Sequence, residues 1–146
     1  MVNIREAEAA DLPALADLEV ELFSPPYKLA DLQYFALLND AAIVQVLELA
    51  GEIIGFFILL IMFEQAQLAQ IGVKKAYQKQ GFGRLLLEQV MKVAKENDCD
   101  SLTLEVRFSN CAALKLYQSY QFIQLARKND YYQRPKEDAW LLGRAL

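Results

Sequence analysis

Hydrophobic residues at the start of the chain follow a helical period. After Asp11, a residue type that caps helix N-termini, apolar residues recur every three or four positions and predict a first helix. These residues are Leu12, Leu15, Leu18 and Leu22. An extended segment from Val2 to Glu6 precedes this helix, and a second helix is predicted from Leu29 to Leu38.

The middle of the chain is rich in β-forming residues. Two runs, Ala42 to Ala50 and Ile53 to Phe63, meet at Gly51-Glu52 and predict a tight hairpin. A third strand, Gln67 to Val73, follows directly. The longest apolar run, Ile53 to Phe63, has 11 residues. A helix needs ~20 to span a bilayer, so we expect a buried strand and no membrane anchor.

The second half of the chain alternates between helical and strand periods. The predicted elements are a helix from Phe82 to about Asn97, a strand from Leu102 to Phe108, a helix capped by Ser109 or Asn110 and ending near Tyr120, and a closing hairpin of Gln121 to Leu125 and Ala139 to Leu142 around a polar turn, Arg127 to Asp138. The complete order, β-α-α-β-β-β-α-β-α-β-β, predicts an α+β fold in which helices cover both faces of a mixed sheet.

Length and composition narrow the chemistry. The chain has 146 residues with no repeat or linker, so we expect a single domain spanning residues 1–146. It contains no histidine, which excludes Ser-His-Asp triads, Cys-His dyads and histidine-ligated zinc. No metal is expected, because the carboxylates form no obvious cluster either.

Charge and cysteine content indicate the partners and the compartment. The net charge is -4 and the isoelectric point is near 4.9, which argues against nucleic acid as a ligand and favours a basic or amine-bearing partner. The chain opens without the charged and apolar segments of a secretory signal. We therefore expect a cytoplasmic protein with reduced thiols at Cys99 and Cys111.

A glycine-containing segment between a strand and a helix suits anion binding. Gly81 and Gly83 open the predicted helix, where free backbone N–H groups and the helix dipole attract a pyrophosphate. The nearby cations are Lys74, Lys75, Lys79 and Arg84. The segment is neither a Walker A loop nor a GxGxxG fingerprint. An ordinary strand-to-helix turn with surface lysines explains the same pattern equally well.

A second segment offers proton-transfer groups. Glu105 is a carboxylate in an apolar strand, which is costly to bury without a partner or a task. Asn110 and Tyr117 fall on one face of the following helix. Glu105 is a candidate general base, but taken alone it is better explained as an outward residue paired with Arg107 or a surface lysine. Tyr117, taken alone, is better explained as a core aromatic.

These residues together resemble the GNAT superfamily of N-acetyltransferases, most closely its RimI-type ribosomal-protein-alanine N-acetyltransferases. The resemblance covers nearly the whole chain. It includes the acyl-CoA loop Gln78-x-x-Gly81-x-Gly83 and the more diagnostic segment Leu104-Glu105-Val106-Arg107 with Ser109-Asn110, Ala112-Ala113, Leu116-Tyr117 and Phe122. Arg127, Tyr131-Tyr132 and Glu137-Asp138-Ala139 follow in the order of the subgroup's C-terminal hairpin.

The resemblance implies a role for each matching position, with acetyl-CoA as co-substrate. The implied cofactor-binding residues are Ile71, Gly72 and Val73 for the pantetheine arm, Gln78, Lys79, Gln80, Gly81, Phe82, Gly83 and Arg84 at the pyrophosphate, and Asn110. Glu105 would be the general base, directly or through water, and Tyr117 would protonate the departing CoA sulfur. Tyr27, in the loop from Pro25 to Lys28, and Tyr131 and Tyr132 would line the acceptor groove.

The implied acceptor is the N-terminal alanine of a basic ribosomal protein, by resemblance small-subunit ribosomal protein number eighteen. At pH 7 an α-amine of pKa ~7.8 costs about 1 kcal/mol to deprotonate, whereas a lysine at ~10.4 costs about 4.6 kcal/mol. Acetylation of a lysine, a polyamine or a small-molecule amine is the enzymatic alternative. A non-catalytic acyl-CoA sensor is the other. Cys111 is a rival nucleophile that lacks a partner base.

Several positions depart from the family pattern, mainly on the acceptor side. Gln121 stands where many relatives have glycine, and Tyr27-Lys28 replaces a frequent Trp-Ser pair. Gln67 and Gln70 replace more usual acidic or Asn residues. We therefore expect the acceptor groove to differ from that of relatives more than the cofactor site does.

Overall fold

The computed structural model describes residues 1–146 and contains every predicted strand and helix. The strands are β1 (Val2–Glu6), β2 (Ala42–Leu49), β3 (Glu52–Met62), β4 (Gln65–Val73), β5 (Ser101–Arg107), β6 (Ile123–Gln133) and β7 (Lys136–Ala145). The helices are α1 (Leu12–Leu22), α2 (Leu29–Gln33), α3 (Phe82–Glu96) and α4 (Cys111–Ser119).

All seven strands form one mixed sheet in the order β1-β2-β3-β4-β5-β7-β6. Neighbouring strands are antiparallel except β4 and β5, which are parallel. The chain between them contains α3, because a parallel pair needs a long crossover connection. The predicted α+β fold with a mixed, mostly antiparallel sheet is confirmed.

Helices cover both faces of this sheet, as predicted. α3 and α4 bury the larger apolar cluster, in which Leu86 of α3 packs with Phe57 of β3. α1 and α2 bury the smaller cluster, which contains Leu15, Leu32 and Phe56. Phe56 and Phe57 belong to different clusters because successive side chains of a strand point to opposite faces.

The centre of the sheet opens into a gap. β4 and β5 pair from Gln65 and Ser101 only as far as Leu68 and Leu104, although β4 continues to Val73. Just beyond Leu68, a β-bulge interrupts the pairing of β4 with β3. A bulge bends its strand and increases its twist, which turns the end of β4 away from β5. The gap between the ends of these two strands is the natural place for a ligand.

Two turns differ from the sequence prediction. The β2–β3 hairpin turns at Ala50-Gly51, one residue earlier than predicted, and both residues have positive φ (51° and 84°). That geometry suits the right-handed twist of a hairpin. The predicted helix from Leu29 to Leu38 remains helical to its end, but its second half is a π-helix in which Asn39 N donates to Tyr34 O at 2.9 Å.

The predicted polar turn from Arg127 to Asp138 is wrong. β6 continues to Gln133 and β7 begins at Lys136, so the turn is only Arg134-Pro135. β6 is an edge strand with exposed residues along most of its length. Such a strand lacks the alternation of apolar and polar residues on which sequence-based recognition depends. The consequence for the site is large, because the polar residues of this segment are strand residues with fixed directions.

Asp11 stands at the predicted N-cap position of α1, but its side chain does not cap that helix. Both of its carboxylate oxygens accept hydrogen bonds from Arg5 of β1, at 2.7 and 2.9 Å. These bonds lower the pKa of Asp11 although burial opposes them. Asp11 therefore joins the first helix to the edge of the sheet.

Candidate active site

Glu105 lies beside the gap, on the sheet face covered by α1 and α2. Its neighbours Leu104 and Val106 point into the core on the opposite face. The Glu105 side chain is 11% exposed and pairs with Lys128 Nζ at 2.8 Å. Gln67 Nε2 lies 3.5 Å from its other oxygen. The sequence suggested Arg107 or a surface lysine as the ion-pair partner of Glu105. In the structure the partner is a lysine, Lys128, and not Arg107.

Arg107 instead holds the two sides of the gap together. Its guanidinium donates to Ser24 O at 2.8 Å, in the loop between α1 and α2, and to Pro135 O at 3.0 Å, in the β6–β7 turn. It also pairs with Glu137 at 3.4 Å and lies 4.0 Å above the Tyr132 ring. These contacts fix the spacing between the α1–α2 loop and the C-terminal hairpin.

The three predicted acceptor-binding tyrosines come together near Glu105. Burial raises the pKa of Tyr27, and negative charges nearby raise it further, that of Glu19 most and that of Glu105 least. Burial also raises the pKa of Tyr132, to about 12, with a contribution from Tyr131. The rings of Tyr131 and Tyr132 are 5.0 Å apart, and Lys128 Nζ lies 5.1 Å from the Tyr131 ring. The α1–α2 loop and β6 thus bring aromatic side chains to the same region as this carboxylate.

Tyr117 lies on α4 in the larger core, 5% exposed and packed edge-on against Phe122 with ring centroids 5.5 Å apart. Burial, followed by the charge of Tyr132, holds the pKa of its hydroxyl well above the usual range. Tyr117 is therefore both a core aromatic and a phenol that stays protonated at neutral pH. It gives up its proton less readily than a free tyrosine does.

The segment from Lys79 to Arg84 forms a row of free backbone donors. None of its amide N–H groups donates a hydrogen bond within the chain, and no side chain caps the N-terminus of α3. Lys79 and Gly81 have positive φ (64° and 92°), which turns the loop toward the helix end. A helix N-terminus with free N–H groups binds anionic groups.

Some predicted cofactor residues are already engaged within the chain. Gln78 Nε2 donates to Val73 O at 2.9 Å, so Gln78 braces the loop against the end of β4. Asn110 Oδ1 caps α4 by accepting from Ala113 N at 3.2 Å, as its predicted capping role requires. Lys74 pairs with Glu52 at 2.8 Å, which offsets the positive charge expected from it beside the loop.

Two residues of this region, Glu19 and Lys128, are not singled out by the sequence patterns. Glu19 is fully buried on α1, and Gln70 of β4 donates to it at 3.1 Å. Helical spacing gives the missed signal, because Glu19 stands one turn after Leu15 on the apolar face of α1. Lys128 was also missed, since it belonged to the segment predicted as a turn.

No group of three or more cysteine, aspartate or glutamate side chains is close enough to hold a metal ion. The Cys111 thiol is exposed, and Cys99 is buried. None of the helices is long and apolar enough to cross a membrane.

The sequence matches the acetyltransferase (GNAT) family over residues 12–122. The ribosomal protein bS18-alanine N-acetyltransferase of Escherichia coli strain K12 is 31% identical over 145 residues, covering 98% of this chain and 97% of that protein. The crystal structure of the ribosomal-protein-S18-alanine N-acetyltransferase from Escherichia coli has a TM-score of 0.91 at 30% identity, covering 99% of this chain and 94% of that chain.

A second solved structure carries a ligand. The crystal structure of a GNAT family acetyltransferase from Elizabethkingia anophelis with acetyl-CoA bound has a TM-score of 0.84 at 26% identity, and the match covers 99% of this chain and 98% of that chain. The family match includes the glycine loop, Glu105 and Tyr117. The predicted resemblance and enzyme class are confirmed, and the chain belongs to the acetyltransferase (GNAT) family.

Proposed function

We propose that this acetyltransferase transfers the acetyl group of acetyl-CoA to the N-terminal α-amine of a ribosomal protein. The observation that carries the proposal is the gap between β4 and β5, with free backbone donors at one end and Glu105 among three tyrosines at the other. An acyl-CoA and an amine approach such a gap from opposite ends. The gap, the free backbone donors, Glu105 and the three tyrosines all lie within residues 1–146, which we propose act as one acetyltransferase domain.

The cofactor end supports acetyl-CoA binding. The free amides from Lys79 to Arg84 and the dipole of α3 suit the pyrophosphate. β4 has no strand partner on its gap side from Ile71 to Val73, so this strand edge offers backbone groups to the pantetheine arm. Asn110 lies at the start of α4, beside the end of β5. The Elizabethkingia anophelis relative binds acetyl-CoA on the same fold.

The proposed reaction is a direct transfer without a covalent enzyme intermediate. The amine nitrogen attacks the thioester carbonyl, a C–N bond forms and the C–S bond breaks. Glu105 accepts the proton that the amine loses, and Tyr117 protonates the departing sulfur. Lys128 Nζ, 2.8 Å from Glu105, holds this carboxylate in place beside the gap.

The acceptor end favours a peptide N-terminus over an isolated small amine. Arg107 anchors two separate walls, one of which carries Tyr27 and the other Tyr131 and Tyr132. An α-amine also costs less to deprotonate at neutral pH than a lysine does. The Escherichia coli relative acts on the alanine of ribosomal protein bS18. We propose the same N-terminal alanine as the acceptor here, in the cytoplasm, where ribosomal proteins are made.

Two matched peptides test the proposal. The first starts with a free N-terminal alanine followed by arginines and contains no lysine. The second has the same sequence with a blocked N-terminus and one arginine replaced by lysine. Each is incubated with acetyl-CoA and the protein, and the mass of peptide and protein is measured over time.

Acetylation of the first peptide alone is the expected result. Acetylation of the second alone would contradict the N-terminal proposal and identify a lysine or small-amine acetyltransferase. Binding of acetyl-CoA without modification of either peptide would contradict the catalytic proposal for this acceptor class. A lasting acetyl adduct on the protein at Cys111 would contradict direct transfer.

A further inference from the structure

Glu19 is a buried carboxylate that the proposed reaction does not use. It lies on α1 with no exposed surface, facing the bulged part of β4. Its Oε1 accepts two hydrogen bonds, from Tyr27 N at 2.8 Å and from Gln70 Nε2 at 3.1 Å. No lysine or arginine pairs with it. A carboxylate without a cation is an expensive group to bury in ionised form.

Two buried oxygen atoms, one on Glu19 and one on Gln70, lack hydrogen-bond partners. Glu19 Oε2 and Gln70 Oε1 are the buried side-chain polar atoms of this chain that form no hydrogen bond. Both are acceptors when Glu19 is ionised, so neither satisfies the other. Leaving a buried polar atom unpaired is unfavourable, because the atom has lost its hydrogen bonds to water and gained none within the protein.

One proton satisfies both atoms. If Glu19 Oε2 carries a hydrogen, it donates to Gln70 Oε1, while Gln70 Nε2 already donates to Glu19 Oε1. The two side chains then form a closed ring of two hydrogen bonds, the usual pairing of a carboxylic acid with a primary amide. The hydrogen bond from Gln70 Nε2 to Glu19 Oε1 is already present, and the two unpaired oxygen atoms are the ones that the second hydrogen bond would join.

We propose that Glu19 is a neutral carboxylic acid paired in a ring with the Gln70 amide, and that this pair positions the α1–α2 loop for the acceptor. The inference rests on the proposed function, because Tyr27 belongs to the proposed acceptor groove. Glu19 holds the loop in place by accepting a hydrogen bond from the backbone N–H of Tyr27. Gln70 immediately precedes Ile71 at the gap. The pair thus fixes the distance between the loop and the strand.

The charges around Glu19 agree with a bound proton. Burial is the main cause of its raised pKa, and the charge of Asp31 on α2 raises it further. The hydrogen bonds from Tyr27 N and from the Gln70 amide act in the opposite direction but are outweighed. Tyr27 is itself a neutral phenol, since burial raises its pKa. No lysine or arginine lowers the pKa of Glu19.

Infrared spectroscopy tests the proton without any use of activity. The difference spectrum at pH 7 between the wild-type protein and Glu19→Gln is expected to contain the carbonyl band of a protonated carboxylic acid, which the variant lacks. A difference spectrum containing only ionised carboxylate bands would overturn the acid–amide pair. This result stands whatever the acceptor is.

Kinetics test the positioning role. Gln70→Leu removes the ring and is expected to raise the KM for the free-alanine peptide about tenfold, with kcat and the KM for acetyl-CoA unchanged, since a lost hydrogen bond of about 1.4 kcal/mol corresponds to tenfold. Glu19→Gln keeps two hydrogen bonds as an amide–amide ring and is expected to retain the wild-type KM. An unchanged peptide KM in Gln70→Leu would overturn the positioning role.

The exchanged pair is the matched control. In the double variant Glu19→Gln with Gln70→Glu, the acid and the amide change places and the ring is kept, so the peptide KM is expected to equal that of the wild type. A raised peptide KM in a double variant that melts like the wild type would overturn the ring. If the wild-type protein acetylates no N-terminal peptide, the proposed function fails, and the infrared result still decides the state of Glu19.

Discussion

The two ends of the candidate site are built in different ways. The proposed cofactor end is built mainly by one continuous segment, Ile71 to Arg84, which runs from the edge of β4 through a turn into α3, with Asn110 added from the start of α4. The proposed acceptor end is assembled from distant segments, since Arg107 bonds to Ser24 across 83 positions and to Arg134 across 27. A local segment forms its site by backbone conformation alone, whereas the acceptor end exists only when the whole sheet has formed.

This difference has a functional consequence. Backbone N–H groups and a helix dipole bind the same pyrophosphate in any chain with this turn. The acceptor walls depend on side chains such as Glu19, Arg107 and Lys128, each held by a tertiary contact. Proteins that share the fold can therefore keep the cofactor end and change the acceptor by changing a few long-range contacts.

The largest expected effect concerns the point where the two ends meet. Glu105→Gln removes the proposed base without changing its shape, and kcat is expected to fall by about 10²–10⁴-fold, the usual contribution of a general base. Acetyl-CoA affinity, measured by calorimetry, is expected to remain as in the wild type. A variant with wild-type kcat would show that Glu105 is only the ion-pair partner of Lys128.

Arg107→Lys tests the acceptor end. A lysine ammonium cannot reach both the α1–α2 loop and the β6–β7 turn, so kcat/KM for the peptide is expected to fall about 10–100-fold, which corresponds to about 1.4–2.8 kcal/mol. Acetyl-CoA affinity is expected to remain unchanged. The control is Arg127→Lys, at a more exposed arginine of β6 that pairs with Asp138. Equal losses in both variants would contradict the special role of Arg107.

Gly83→Asp tests the cofactor end. A Cβ at Gly83 would meet no atom closer than Leu116 Cδ2 at 3.7 Å, so the substitution fits and acts through its charge. A carboxylate at the proposed pyrophosphate site is expected to weaken acetyl-CoA binding about tenfold, since charge effects at a helix terminus reach ~1–2 kcal/mol. Gly83→Ala is the uncharged control and is expected to bind normally. A raised peptide KM with normal acetyl-CoA binding in Gly83→Asp would contradict the division of the site.

The smallest expected effect is a pH dependence of stability. The pKa of Glu19 is higher in the folded chain than its ordinary value near ~4.3, so its contribution is fully present below that value and is lost as pH rises through the folded pKa. The free energy of unfolding of the wild type, relative to Glu19→Gln, is expected to decline as pH rises above the ordinary pKa of a glutamate. Urea denaturation at each pH measures it. A relative stability that rises with pH would contradict the neutral acid.

Local patterns predicted most of the fold. The apolar period of α3, the alternation in β5 and the Asn110 cap of α4 are all present where the sequence indicated them. The edge strand β6 was mistaken for a turn because neither of its faces is buried. Polar strand residues without burial leave no periodic signal.

The candidate site followed the same division. Glu105, Tyr117 and the glycine loop stand in short motifs, so the sequence alone singles them out as candidates. The partners of Glu105 and Arg107 could not be predicted from the sequence. Lys128, the partner of Glu105, lies on the unrecognised strand β6. Ser24, a partner of Arg107, is brought close only by the packing of α1. Glu19 could have been found, since a carboxylate on the apolar face of a helix requires a partner.

Hydrogen exchange tests the division of the site most directly. Deuterium uptake is measured for the free protein, with CoA, and with CoA plus the free-alanine peptide. CoA alone is expected to protect the segment from Ile71 to Arg84, and the peptide is expected to add protection at the α1–α2 loop and at Tyr131 and Tyr132. Peptide-induced protection confined to Ile71 to Arg84, with none at the loop or the hairpin, would contradict the account.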